Sequence, residues 1–129
     1  MTNTKVELGV NGETLAVKYL KQLGYKIIEQ NFRVCYGEID IIADQDGTLV
    51  FIEVKTRTGK RYGAPFESIT ANKQNHLSKA ALEYMSMNNC HDRPARFDVI
   101  GVQFDAGKPG KLPDARIEMI KNAFDLCYG

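Results

Sequence analysis

GEIDIIADQDGTLVFIEVKTR, residues Gly37 to Arg57, decides how this chain is read. Two runs rich in β-branched and aromatic residues flank a polar turn at Asp44–Gly47, the pattern of a β-hairpin. Side chains alternate faces along a strand with period two. In the second run Val50, Ile52 and Val54 therefore face one way, and Leu49, Phe51, Glu53 and Lys55 the other. In the first, Ile39 and Ile41 share one side, while Glu38 and Asp40 share the other with Ile42. A turn at 45–48 places Asp40 opposite Glu53, and a tighter one places Glu38 there instead. Either register brings an acid within about 5.5 Å of Glu53.

Two carboxylates that close repel unless a proton or a cation lies between them. Mg²⁺ prefers oxygen ligands, takes one or two carboxylates and completes its shell with water or phosphate oxygens. A strand carbonyl such as that of Val54 adds a further donor. Lys55 is placed to orient or deprotonate a water, or to stabilise charge growing on a phosphorus oxygen. That is an arrangement for phosphodiester hydrolysis. The competing reading is a solvated face on which Glu53 and Lys55 pair with neighbours and do nothing more. A Glu-x-Lys in a strand carries little weight alone. The upstream acid of correct parity and the apolar opposite face tip the balance toward a site.

With 129 residues, 1–129 is expected to be one domain, able to bury about two thirds of its unfolded surface. The opening MTNTKVELGVNGET has no apolar run, and no segment approaches the roughly 20 apolar residues of a membrane span, so neither leader nor membrane contact is expected. Cys35, Cys90 and Cys127 are widely spaced, which predicts reduced thiols in a cytoplasmic protein. The net charge of +1 gives no global vote for nucleic acid. Its distribution does: Lys55, Arg57, Lys60, Arg61, Lys73 and Lys79 face one acid, Glu67, between Lys55 and Lys79. A basic surface beside a carboxylate cluster suits an anionic polymer approaching a bound cation.

Outward from the hairpin, residues Lys5 to Leu23 read as a helix with an inward stripe of Val10 or Thr14, Val17 or Ala16, Leu20 and Leu23. Gly24 supplies its stop. Residues 25–28 open a first strand, interrupted near Asn31. Thr70 is the N-cap of a second helix to about Met87, with Leu77, Ala80, Ala81 and Tyr84 facing in. Residues 96–104 form a buried strand, and Arg116 to about Lys121 a short last one. The order helix, three strands, helix, strand, with a terminal strand appended, predicts an α/β sandwich: a mixed sheet covered by helices.

Glu-Ile-Asp at 38–40 followed by Phe-Ile-Glu-Val-Lys at 51–55 resembles the core motif of the PD-(D/E)XK nuclease superfamily, which includes restriction endonucleases and archaeal Holliday-junction resolvases. The match narrows to the YraN-type family of small bacterial endonuclease-like proteins. Its pattern reads here as Gly12-Glu13, Ala16, Tyr19-Leu20, Gly24-Tyr25, Asn31, Arg33, Gly37 to Asp40, Leu49 to Arg57, Gly63, Pro65, Glu67, Lys73, Leu77, Ala81, Tyr84 and Arg96 to Val99. The resemblance covers nearly the whole chain. Only the leading proline is missing, Ile39 standing before Asp40. It implies a restriction-endonuclease-like α-β-β-β-α-β core and Mg²⁺-dependent cleavage, with Mn²⁺ as substitute. The implied substrate is DNA rather than RNA, branched or damaged, in repair or recombination. It implies Asp40 and Glu53 as metal-holding acids, Lys55 as the lysine of the motif and Glu13 as third ligand. Lys73 and Gln74 would face substrate phosphate, and a homodimer is an assembly that such relatives use.

Other residues stay open at this level. Glu38 either reaches the site through water, as a second acid, or pairs with Arg33. Gly12 inside a helix costs about 1 kcal/mol relative to alanine, which marks a close approach unless the helix starts near Asn11. Arg57, Lys60 and Arg61 offer phosphate contacts that fix position without reading sequence. Tyr62 and Phe66 are weighed between base stacking and packing, with packing preferred. His76 and His91 read as surface histidines, and Asp98 is expected to pair with a basic residue other than Arg96. Two further function classes stand beside the nuclease: a catalytically silent nucleic-acid-binding module, and a protein-interaction domain whose acids pair structurally.

Overall fold

The structure, a computed structural model, describes residues 4–58, 69–104 and 115–125. Lys60, Arg61, Tyr62, Phe66 and Cys127, singled out above, lie outside the described residues. The elements run α1 (Thr4–Gln22), β1 (Lys26–Val34), β2 (Gly37–Gln45), β3 (Thr48–Thr58), α2 (Ala71–Met87), β4 (Ala95–Phe104) and β5 (Ala115–Phe124). The strands lie in the order β1-β2-β3-β4-β5, antiparallel except for the parallel pair β3–β4, which α2 connects. This is the expected α/β arrangement, a mixed sheet with one helix on each face.

The hairpin turn sets the register that matters. Asp46 and Gly47 both take left-handed conformations (φ 51° and 92°), as a two-residue hairpin loop requires, and Asp44 Oδ1 accepts the Gly47 N–H at 3.1 Å. Gln45 pairs with Thr48 and Ile41 with Ile52, so the same register carried one step further sets Asp40 against Glu53. β2 runs on to Gln45, two residues into the expected turn, while β3 starts at Thr48, directly after the expected turn.

Each face of the sheet has its own core. Toward α1, Ala16, Leu20 and Tyr25 pack on Ile41, Val50, Ile52 and Ile100; toward α2, Leu77, Ala81 and Tyr84 pack on Ile42, Phe51 and Phe97. Phe51 lies between Tyr84 and Phe97, with ring centroids at 6.0 and 5.5 Å. One assignment from the alternation is corrected. Ile39 packs with Ile42 on the α2 side, not with Ile41. Pairing steps from Gln30–Ile41 to Phe32–Ile39, passing over Asp40 and its neighbour Asn31, whose φ is 56°. A left-handed residue breaks the period of two, and the interruption expected near Asn31 is this one.

The first helix ends as a glycine stop dictates. Gly24 takes φ 90°, Tyr25 N–H reaches Leu20 C=O at 3.0 Å and Gly24 N–H reaches Lys21 C=O at 3.1 Å, the two bonds of a Schellman motif. The chain turns away at that point, so Leu23 is 46% exposed rather than part of the inward stripe. Gly12 sits well inside α1, and a Cβ there would lie 2.2 Å from Thr56 Oγ1. The close approach is therefore between helix and strand. Asp98 pairs with Arg96 after all, at 3.0 Å, because residues two apart on a strand share a face. Tyr25 OH at 3.3 Å and Asn122 N–H at 2.9 Å also donate to this buried carboxylate.

Candidate functional site

β2 and β3 part beyond the Ile41–Ile52 pair, and a side chain fills the gap. Asp40 Oδ2 accepts the Val54 N–H at 2.8 Å, in place of a strand carbonyl. Glu53, one residue back on β3, faces α2 and is buried. Together they line a pocket of about 410 Å³ whose rim is formed by Tyr36, Gly37 and Glu38 on one side and by Thr70, Asn72, Lys73 and His76 of the α2 start on the other. Asp40 and Glu53 thus open onto one space.

Two cations address Glu53 Oε1. Lys73 Nζ lies 2.8 Å away and Lys55 Nζ 3.7 Å. Lys73 reaches across from α2, whose first turn is fixed by Thr70: its hydroxyl accepts the Lys73 N–H at 3.1 Å, and its φ and ψ are extended, as at an N-cap.

The acids load one another. Burial, the Glu53 charge and, to a lesser degree, Glu13 and Glu38 push the Asp40 carboxyl up to about 7, against the opposing Val54 hydrogen bond. Glu13, on α1, is raised by burial and by repulsion from Glu38 and Glu53, which places it within electrostatic reach of the pocket. Lys55 is lowered by burial and by Lys73, with Glu53 opposing. Lys73 moves the other way: burial lowers it, but the bond and attraction to Glu53 outweigh that and raise it.

The remaining expected residues are placed as follows. Glu38 pairs with Arg33 at 3.3 Å, one of the two readings left open, while still lining the pocket. Arg57 is exposed at the end of β3, near enough to depress Lys55. Gln74 donates its amide to the Ile69 carbonyl at 3.2 Å, at the entrance to α2, and does not line the pocket. Among the described residues no three His, Cys, Asp or Glu side chains converge as a ready metal cage; Glu53 is engaged by lysines instead. Asn72 and His76, one turn apart on α2, and Tyr36 were not among the expected site residues. The spacing of 72, 73 and 76 on one helical face is the signal that links them to Lys73.

Comparison with known proteins adds a frame. The profile of the uncharacterised protein family UPF0102 matches residues 12–102. The chain belongs to the UPF0102 family. A UPF0102 protein of Geobacter metallireducens is 50% identical over 121 residues, 94% of both chains. One of Geobacter sulfurreducens is 49% identical over 122 residues, covering 94% of this chain and 91% of the relative. One of Syntrophus aciditrophicus is 44% identical over 121 residues, covering 94% and 91%. The stretch that defines UPF0102 here begins at Gly12, where α1 meets β3, and includes all the acids and lysines of the pocket. The site therefore belongs to the family's own region of the chain. No helix among the described residues is long and apolar enough to cross a membrane.

Proposed function

We propose that this UPF0102 protein is a metal-dependent endonuclease that hydrolyses phosphodiester bonds in DNA. The observation that carries the reading is the pairing of Asp40 and Glu53 in one pocket, with Asp40 pushed up to about 7 by burial and by its neighbour. Beside Glu53, Asp40 does not ionise fully at neutral pH unless further positive charge enters the pocket. The donor set is all oxygen and hard, which fits Mg²⁺ or Mn²⁺ and argues against softer ions. Asp40 and Glu53 would hold the ion, and Glu13 lies within electrostatic reach of both. Bound there, a divalent cation supplies Lewis acidity and lowers the pKa of a water.

The chain's own residues do the rest. Lys55, half-buried beside Glu53 and depressed by that burial and by Lys73, is suited to accept or return a proton at its Nζ and to balance charge on a phosphoryl oxygen. Asp40 keeps β3 in place through the Val54 N–H while presenting its second oxygen to the pocket. Arg57 and Lys73 offer cations to backbone phosphates, which position a nucleic acid without reading its sequence. The resemblance of 38–40 and 51–55 to PD-(D/E)XK nucleases supports DNA over RNA and a branched or damaged form.

A second reading is a binding module without cleavage, favoured by the engagement of Glu53 with two lysines. One experiment separates them. Linear, nicked, flapped and four-way DNA are incubated with the protein and Mg²⁺ or Mn²⁺. Cleavage of at least one form is expected, with loss of at least about 100-fold in Glu53→Gln and in Lys55→Met at unchanged circular dichroism. No cleavage with either metal, alongside salt-dependent DNA binding that Glu53→Gln leaves intact, establishes the binding module instead.

A further inference from the structure

Lys73 is in an unusual place for a lysine. It is the third residue after the Thr70 cap of α2, where the unpaired N–H groups of the first turn form the positive end of the helix and an acid is the favoured occupant. The first turn of α2 holds no acid at all. A cation at that position is held against the field of its own helix and needs an anion opposite. Glu53 Oε1 is that anion, 2.8 Å from Lys73 Nζ, closer than Lys55.

The same oxygen belongs to the acid pair assigned to the metal. The Glu53 side chain is 8% exposed, so its charge cannot be left bare without the penalty of an uncompensated buried ion. One cation must always be present. The two lysines are not equal in this respect: the Lys55 side chain is 18% exposed and the Lys73 side chain 42%. Lys55 stands on β3 and is the less exposed of the two, whereas Lys73 lines the open pocket and has space to swing out. Its backbone need not move, since the Thr70 cap fixes the helix start and the side chain has four rotatable bonds.

We propose that Lys73 is the resident counter-ion of Glu53, displaced by the divalent cation and thereby released to the pocket mouth to bind substrate phosphate. The proposal rests on the reading of Asp40 and Glu53 as the metal-holding acids. Its consequence is coupling. Without metal the pocket offers an incoming phosphate two acids and a lysine already engaged; with metal it offers the ion and a free ammonium. Metal and anionic substrate then strengthen each other's binding reciprocally. Lys73 is in this sense a positioning residue before substrate arrives and a substrate contact afterwards.

The test reads the lysine itself. The full chain is reductively methylated with and without saturating Mn²⁺, the rate at each lysine is followed by mass spectrometry, and Mn²⁺ binding is measured in parallel by calorimetry. Lys79, exposed on the same helix, is the internal reference. Expected are slow modification of Lys73 without metal, a rise to the Lys79 rate with Mn²⁺, and the fast rate in Glu53→Gln with or without metal. Lys73→Gln is expected to bind Mn²⁺ at least about five-fold more tightly, the low end of coupling between linked sites. Mn²⁺ binding with no change at Lys73, or with no gain in Lys73→Gln, overturns the displacement and leaves the metal site standing. No Mn²⁺ binding to wild type removes the metal reading and the displacement together.

Discussion

Asp40→Asn is the sharpest perturbation of the pocket. Asparagine keeps the shape of the side chain and an oxygen for the Val54 N–H, and removes only the charge. The folded chain holds the Asp40 proton up to about 7, while the unfolded chain releases it near the ordinary value of 3.8. Between those values the folded state binds the extra proton, so stability is greatest below about pH 4 and falls as pH rises toward 7. Roughly three pH units at about 1.4 kcal/mol each give an upper bound of about 4 kcal/mol. In Asp40→Asn this component vanishes. Urea unfolding in the presence of a chelator, from pH 4 to 8.5, measures it. The two proteins are expected to have similar pH-independent baselines in acid, then to separate by about 2–4 kcal/mol at pH 8, with the asparagine variant the more stable. Added Mg²⁺ should narrow the gap by stabilising the ionised wild type alone. A gap that does not change with pH, or an asparagine variant less stable than wild type at pH 8, refutes the claim that the two acids strain each other.

Gly12→Ala gains about 1 kcal/mol of helix propensity but drives a methyl against Thr56, whose Oγ1 would lie 2.2 Å and Cβ 3.2 Å away; a net loss of about 1–3 kcal/mol is expected in urea melts, largely recovered by adding Thr56→Ala. A more stable Gly12→Ala single variant would show that α1 and β3 are not in contact there. Asp98→Ala strips the half-buried guanidinium of Arg96 of its carboxylate and the Asn122 N–H of its acceptor, so thermal unfolding should report a loss of about 2–4 kcal/mol; a loss under about 1 kcal/mol means Tyr25 and Gln45 satisfy Arg96 by themselves.

What the chain discloses by itself follows from how local each cause is. The Asp-Gly pair at 46–47, the Thr70 cap and the Gly24 stop act within a few residues, and each forms as read. The apolar runs of β3 and β4 identify buried strands because both of their faces are covered. Ile39 was misplaced because a strict period of two was carried through Asp40, and the break is caused by the left-handed conformation of Asn31 on another strand. Leu23 was misplaced because the glycine stop turns the chain before that position completes the stripe. Asp98 and Arg96, two apart on β4, share a face, so strand parity alone already makes them partners. The gathering of Asp40, Glu53 and Lys55 in one place was readable from strand parity and turn length. The link from Lys73 to Glu53 was not, because it joins a helix start to a strand through a packing angle that no sequence spacing encodes. Its trace was a lysine standing where a capping acid belongs.

Asp40 lies where the ladder fails, and the failure is what makes a site possible. In an unbroken hairpin the backbone groups of residues 40 and 53 would pair and the strands would stay close. Instead the Asp40 carboxylate takes the Val54 N–H for itself, so the backbone of β3 stays satisfied while the strands separate. One oxygen maintains the structure while the same carboxyl lines the pocket. Glu53 divides its duties in the same way, with Lys73 on one oxygen. A pocket built on such double use cannot be neutralised by a single conservative change without a structural signature. Removing the charge at Asp40 should stabilise the fold while abolishing metal binding. Removing it at Glu53 should free a lysine on another element. Those opposite structural signatures follow from a strained acid pair and not from a passive solvent face.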